Sequence, residues 1–116
     1  MIDNFEVVFF TDNNGSSPIV DFLDNCSDSL RSKIIRQLKY INEFGLSPQV
    51  PNIKKVAGTK FWELRILGKD NIRIFCIGKN KIIFVIHIFV KKKQKTPLKD
   101  LRIASERIKR LTYDIV

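Results

Sequence analysis

Five side chains from Glu63 to Lys91 have the chemistry needed to act on a phosphodiester. Glu63 supplies a carboxylate that can accept a proton. Arg65 and Arg73 supply guanidinium groups, whose fork geometry matches two phosphate oxygens in a way that lysine cannot. His87 and Lys91 supply an imidazole and an ammonium group. A carboxylate, an imidazole and fixed cations on one surface would suit phosphodiester chemistry.

The strands that must position these groups run from Phe61 to Val90. They read FWELRI, NIRIFC and KIIFVIHIFV, and the short turns between them predict an antiparallel meander. Because side chains of a strand alternate between its two faces, polar residues are expected on one face and apolar residues on the other. In the third strand this puts Val85 and Phe89 on the face of His87. With helices on the apolar face, the open side of the sheet would carry the five candidates named above.

One further strand and three helices are predicted around this meander. Phe5–Phe10 is apolar and is followed by turn formers, so it is expected to be the first strand. It should pair with the third strand of the meander, which is apolar on both faces as is typical of a central strand. The helix signals are Ser17 before Pro18, Asp28 with Gly45 at the far end, and Thr96 before Pro97.

The resulting order is β-α-α-β-β-β-α. We therefore predict an α+β fold with a mainly antiparallel four-stranded sheet and with helices packed mainly on one face. Residues 46–59 contain two prolines and a glycine, so they are expected to be a connection from the helices to the sheet. No internal repeat or linker interrupts the chain, and residues 1–116 are expected to form one domain.

Charge is divided unevenly along the sequence. Up to Gln49 there are four Lys/Arg against seven Asp/Glu, and from Val50 onward there are seventeen against five, for a total net charge of +9. A basic half of this kind favours polyanions such as nucleic acid, or an acidic protein partner.

The remaining composition indicates a cytoplasmic protein with no membrane association. The N-terminus lacks the basic region and cleavage site of a signal peptide, and the longest apolar run is too short to span a bilayer. Cys26 and Cys76 have no partner spacing for a metal, so they are expected to be small buried hydrophobic residues rather than a disulfide.

Four segments together resemble a known family. They are KKVAGTKFWELRI, NIRIF, IHIFVKKKQKTP and the IASERIKR of the last helix, and they span Lys54 to Arg110. This pattern resembles the phage-derived Gp49-like or HigB-like branch of the RelE/ParE toxin superfamily. WELR together with the lysine-rich segment is fairly specific, whereas either piece alone would be weak.

The resemblance implies a toxin of a type II toxin–antitoxin system. The RelE/HigB branch cleaves mRNA in the ribosomal A site without a metal or other cofactor, so the implied partners are mRNA and the 70S ribosome. The resemblance also implies a HigA-like helix-turn-helix antitoxin that neutralises the toxin, with a toxin–antitoxin heterotetramer as one form of the complex. The ParE branch has the same fold but inhibits DNA gyrase, and a non-enzymatic module that binds nucleic acid or protein is a third alternative.

The family pattern also implies roles for individual residues. Glu63, Arg65 and Arg73 match its strand positions, and the sequence has Ile72 where a tyrosine is common. The basic segment is matched by Lys91, Lys92, Lys93 and Lys95. A tyrosine that many relatives carry near the site is missing, since the nearest one here is Tyr113. Phe89, Phe75 or Trp62 would then stack on a base, and Trp62 is the poorest of these because alternation directs it to the core.

RNA cleavage by the 2′-hydroxyl needs a base, cations on the phosphate and an acid. Glu63 is the candidate base, and His87, Lys91 and Lys92 are candidate acids among which the sequence does not choose. The predicted RNA contacts are Lys54, Lys55, Lys60, Lys93, Lys95 and Phe89. Each residue also has a structural interpretation: ion pairs for Glu63 and the arginines, a core position for His87, and a solvated or antitoxin-binding face for the lysines.

Overall fold

Three helices and a five-stranded sheet make up the α+β fold, in a computed structural model that describes residues 4–92 and 97–115 and the side chains as far as Leu111. In chain order the elements are β1 (Glu6–Phe9), α1 (Pro18–Asn25), α2 (Asp28–Phe44), β2 (Ile53–Lys55), β3 (Trp62–Ile66), β4 (Ile72–Lys79), β5 (Ile82–Val90) and α3 (Leu98–Ile115). Within the described ranges, no helix has both the length and the apolar character needed to cross a membrane.

The strand order across the sheet is β1-β5-β4-β3-β2. β1 runs parallel to β5, and the other neighbours are antiparallel. The predicted fold class is confirmed, and so is the pairing of the first strand with the third strand of the meander. The predicted number of four strands is wrong, because three residues of the expected connection, Ile53–Lys55, pair with β3 as an additional edge strand.

Local signals fix the ends of the first two helices. The Ser17 hydroxyl accepts a hydrogen bond from the Val20 amide at the start of α1, as its position before a proline predicts. α2 is capped by Ser27 rather than by the predicted Asp28. Gly45 ends α2 at φ 74, and a Cβ there would lie 2.6 Å from the ring of Phe5, so both the backbone and the packing require glycine.

Each face of the sheet carries its own apolar cluster. On one face α1 and α2 pack against the strands, with Ile19, Ile34 and Ile41 at the centre of the contact. On the other face α3 packs through Ala104 against a cluster that includes Phe75. Two of the three helices thus lie on one face, as predicted, but the second face is not open along its whole width.

A β-bulge in β5 changes the predicted alternation. Val85 pairs with Cys76 and His87 pairs with Phe75, which leaves Ile86 without a partner on β4. The prediction that Val85 shares a face with His87 is wrong for this reason. Val85 lies in the cluster under α1 and α2, whereas Ile86 lies in the cluster under α3.

Both cysteines are free thiols. Cys76 is fully buried, and burial raises the pKa of its thiol far above the usual range because a thiolate would be desolvated there. It is therefore a small core residue, as the sequence predicted.

Candidate functional site

A cavity of about 190 Å³ brings together most of the predicted catalytic residues. It is lined by Asn52, Ile53, Lys54, Glu63, Arg65, Arg73 and Lys91. These residues come from β2 and the position before it, from β3 and β4, and from the position that follows β5. Side chains distant in sequence thus meet on the part of the sheet next to the β2 edge.

The strand register explains this convergence. Glu63 lies opposite Lys54 on β2, and Arg65 lies opposite Arg73 on β4. Directly opposed residues of antiparallel strands have their side chains on the same face. The strand register therefore places Glu63 and the two arginines on one face of the sheet, in the group that the sequence predicts.

Glu63 and Arg73 form the floor of the cavity. Their exposed fractions are 5% and 4%, whereas Lys54 and Arg65 are exposed. Glu63 Oε1 lies 3.6 Å from Arg73 Nε and 3.7 Å from Lys54 Nζ. Both contacts are ion pairs, but both distances exceed hydrogen-bond length. The carboxylate can therefore still accept a proton or a hydrogen bond.

The two arginines face each other as like charges. Burial lowers the pKa of Arg73, the positive charge of Arg65 lowers it further, and Glu63 acts in the opposite direction. Like charges on opposed strand positions destabilise a sheet. An anion between the two guanidinium groups would relieve this repulsion, which makes the pair suited to a phosphate.

Lys91 lies at the junction of this cavity and a neighbouring one. Its backbone amide donates to the Asn71 carbonyl at 2.9 Å, which fixes the chain where β5 ends. Lys91 also lines the second cavity, of about 260 Å³, together with Lys54, Lys55 and Glu63. Lys91, which is half-buried, thus lines both cavities, as does Glu63.

The other predicted basic residues are more peripheral. Lys55 Nζ donates to the Thr59 carbonyl, which keeps it near the second cavity. Lys60 and Lys92 are exposed, and neither is among the residues that line these two cavities. Lys93 and Lys95 lie outside the described residues.

His87 is on the predicted face but is covered by α3. Its exposed fraction is 8%, and its Nε2 lies 2.7 Å from Asp100 Oδ1 on the first turn of that helix. Its Nδ1 lies 3.2 Å from Arg107 Nη1, which also donates to the Ile86 carbonyl at the bulge at 2.9 Å. The prediction of an open position for His87 is wrong, and the alternative interpretation as a satisfied core residue fits its surroundings.

These contacts assign the tautomer of His87. A guanidinium can only donate, so Nδ1 must accept from Arg107, and the Nε2 proton donates to Asp100. Burial is the main cause that lowers the pKa of His87; the hydrogen bond to Asp100 raises it, and the charge of Arg107 lowers it. The imidazole is therefore held neutral, with both nitrogens engaged.

His87 is expected to make stability depend on pH. Because its pKa is lower in the folded than in the unfolded chain, the unfolded chain binds more protons, and the free energy of unfolding falls as pH drops below about 6.5. His87 is the single histidine of the sequence. Urea unfolding between pH 7.5 and 5.5 should show a steeper decline for the wild type than for His87→Asn, and parallel curves would contradict this account.

The aromatic residues proposed to stack on a base are largely enclosed. Phe89 is 6% exposed, and its ring centroid lies 4.9 Å from that of Phe75 and 5.2 Å from that of His87, on which it stacks. Phe75 is fully buried. The prediction that Phe89 presents its ring to RNA is wrong. Of the three candidates for stacking on a base, only Trp62 is half-buried rather than buried, although strand alternation made it the poorest candidate.

Sequence reasoning missed Asn52, Asp100 and Arg107. Asn52 has φ 59 and its carbonyl accepts from the Arg65 amide at 2.9 Å, which ties the cavity wall to β3. An asparagine after a proline is a turn signal that could have marked it.

Within the part of the chain that the structure describes, no three His, Cys, Asp or Glu side chains are grouped so that they could hold a metal ion.

The fold of this chain is similar to that of a solved bacterial toxin. A solved structure of a double arginine-to-alanine mutant of E. coli toxin RelE in the free state matches with a TM-score of 0.60 and 15% identity, over 92% of this chain and 97% of that one. At that identity the match shows the fold.

The chain belongs to the family described as phage derived protein Gp49-like (DUF891), whose model matches residues 21–109. This is a RelE/HigB-like toxin family, so family and fold together support a toxin of a toxin–antitoxin pair. No curated protein matches the sequence.

Proposed function

We propose that this chain is the toxin of a type II toxin–antitoxin system and that it cleaves mRNA in the ribosomal A site. The observation that carries the proposal is the cavity in which the Glu63 carboxylate is surrounded by Arg65, Arg73, Lys54 and Lys91. A surface that only bound an acidic protein would not need the nearly buried carboxylate of Glu63 among its cations. A proton acceptor beside phosphate-binding groups fits cleavage by the 2′-hydroxyl.

In the proposed reaction, Glu63 takes the proton of the 2′-hydroxyl. The 2′-oxygen then forms a bond to phosphorus, the bond from phosphorus to the 5′-oxygen breaks, and a 2′,3′-cyclic phosphate remains. Arg65 and Arg73 bind the phosphate oxygens, on which negative charge develops. The departing 5′-oxygen needs one proton.

Lys91 is the acid that we propose for this proton. Lys91 lines the cavity, whereas Lys92 is exposed and outside the lining. His87 is disfavoured because its one proton already binds Asp100 and its other nitrogen faces Arg107. His87 instead holds α3 against β5.

The proposed partners follow from the same charges. The 70S ribosome would present the mRNA, and an acidic segment of a HigA-like helix-turn-helix antitoxin lying across the exposed lysines outside the floor of the cavity would neutralise the toxin by competition. Lys55 and Lys60 are proposed as further contacts to the RNA backbone, which would make binding depend strongly on salt.

Primer extension on mRNA bound to programmed ribosomes tests the proposal directly. We expect new 5′ ends within the A-site codon when the protein is added, and no cleavage of the same mRNA without ribosomes. Intact mRNA in both reactions would overturn the proposal. Loss of DNA supercoiling activity of gyrase in a parallel assay would then favour the ParE-like alternative.

A further inference from the structure

A second basic cleft, of about 280 Å³, lies between α2 and the strand β3. We call it the α2 cleft, and its lining includes Lys33, Arg36, Tyr40, Asn52, Arg65 and Leu67. Asn52 and Arg65 also line the candidate site, so the two cavities share a wall.

Two cations of the cleft, Lys33 and Arg36, come from the acidic half of the sequence. Lys33 and Arg36 are one helical turn apart on α2, and Tyr40 follows one turn later on the same side. A Cβ on Gly68, whose φ is 131, would lie 2.8 Å from Lys33 Nζ. The ammonium group of Lys33 therefore lies over the turn that follows β3.

These two cations have no carboxylate partner among the described residues, since the ion pairs found there involve other side chains. By contrast, Arg31 on the same helix is engaged by Asp28 at 2.8 Å and by the Leu23 carbonyl at 2.7 Å. Arg31 thus has a structural role, whereas Lys33 and Arg36 are exposed and can bind an anion.

We propose that the α2 cleft binds the RNA strand next to the linkage that is cleaved, with Lys33 and Arg36 on a second phosphate. This rests on the proposed function for the identity of the strand. Arg65 joins the two phosphate sites because it lines both cavities. Leu67, which is 58% exposed, and the half-buried Tyr40 give the cleft an apolar surface for a base.

An acidic protein segment fits this path less well than RNA. A chain of carboxylates that continued from the α2 cleft into the candidate site would meet Glu63, and like charges repel there. An RNA strand would instead present a 2′-hydroxyl to Glu63 and phosphates to the arginines. The α2 cleft thus extends the candidate site for an RNA strand that is longer than the single linkage to be cleaved.

The test measures, by fluorescence anisotropy, the affinity of the full chain for two 2′-O-methyl RNAs, one of two and one of eight nucleotides. The blocked 2′-oxygens protect both RNAs from cleavage. Wild-type protein should bind the longer RNA more tightly. Lys33→Gln/Arg36→Gln should weaken binding of the longer RNA roughly tenfold or more, since charged hydrogen bonds are lost. Its salt slope should fall by about 0.7, the value for one phosphate of a single strand.

The matched control is Lys39→Gln/Arg102→Gln, which removes one lysine and one arginine that are exposed and outside the cleft. It should leave the advantage of the longer RNA unchanged. Equal losses in both double variants, or an equal loss for the dinucleotide, would overturn the proposal, because either shows a general charge effect. Unchanged RNA binding with lost binding of an acidic antitoxin would also overturn it.

The outcome separates the cleft from the proposed function. If primer extension shows A-site cleavage while the length effect is absent, only the cleft proposal fails. If the length effect depends on Lys33 and Arg36 while ribosomes give no cleavage, the cleft binds RNA and the proposed nuclease function fails.

Discussion

Glu63→Gln is expected to slow mRNA cleavage by about 10²–10⁴-fold, the range that loss of a general base gives. Glutamine has the size of glutamate, and its amide can still occupy the floor of the cavity beside Arg73. It cannot take the proton of the 2′-hydroxyl. Single-turnover primer extension with ribosome-bound mRNA measures the rate, and circular dichroism of the same samples shows whether the fold is kept.

The matched control for Glu63→Gln is Glu106→Gln. Glu106 is exposed on α3, pairs with Lys109 at 3.2 Å and does not line the candidate site, so its replacement removes one negative charge from outside that site. The control should cleave at the wild-type rate. A Glu63→Gln rate within about threefold of wild type, well below the range for a base, would make Glu63 a structural partner of Arg73 and leave the reaction without its base.

The part of the site that lies on regular strands could be predicted from sequence. β3 and β4 pair without interruption from Trp62 to Ile66, so a period of two places Glu63 and Arg65 on one face and Arg73 beside them. The same rule failed on β5. A bulge there inserts Ile86 as an extra residue, and nothing in the apolar run KIIFVIHIFV marks where the insertion falls.

The covering of His87 by α3 could not be predicted either. The apolar stripe of α3 predicts that the helix packs on a sheet but not which of the two faces it covers. Asp100 has the appearance of an ordinary acidic residue in a first helical turn, where it complements the helix dipole. Asp100 contacts His87, and Arg107 contacts Ile86, only because α3 lies on the second face of the sheet.

The distribution of charge along the sequence does not show where each cation lies in the fold. The first half has a net negative charge, so the sequence assigned nucleic-acid binding to the second half. The helix α2 packs beside β3, and it brings Lys33 and Arg36 into a cleft that shares Asn52 and Arg65 with the candidate site. The short strand β2 was missed because the prolines and glycine around it indicate a loop, and only three residues pair.

Arg73→Ala is expected to lower both the cleavage rate and the stability. Loss of a preorganised donor to the developing charge should cost about 10²–10³-fold in rate. The Glu63 carboxylate, which is 5% exposed, would lose its buried partner at 3.6 Å and keep only the exposed Lys54 at 3.7 Å. We expect a loss of about 3 kcal/mol in the free energy of unfolding, measured by urea, since a buried charge is left uncompensated.

Two further variants separate these effects. Arg73→Lys keeps the positive charge without the fork, so it should retain most of the stability and still cleave slowly. Glu63→Gln/Arg73→Ala removes the uncompensated carboxylate and should therefore be less destabilised than the sum of the two single changes. Additive losses in the double variant would show that Glu63 and Arg73 do not interact, and a wild-type rate for Arg73→Lys would show that the charge of Arg73, rather than its fork geometry, serves the reaction.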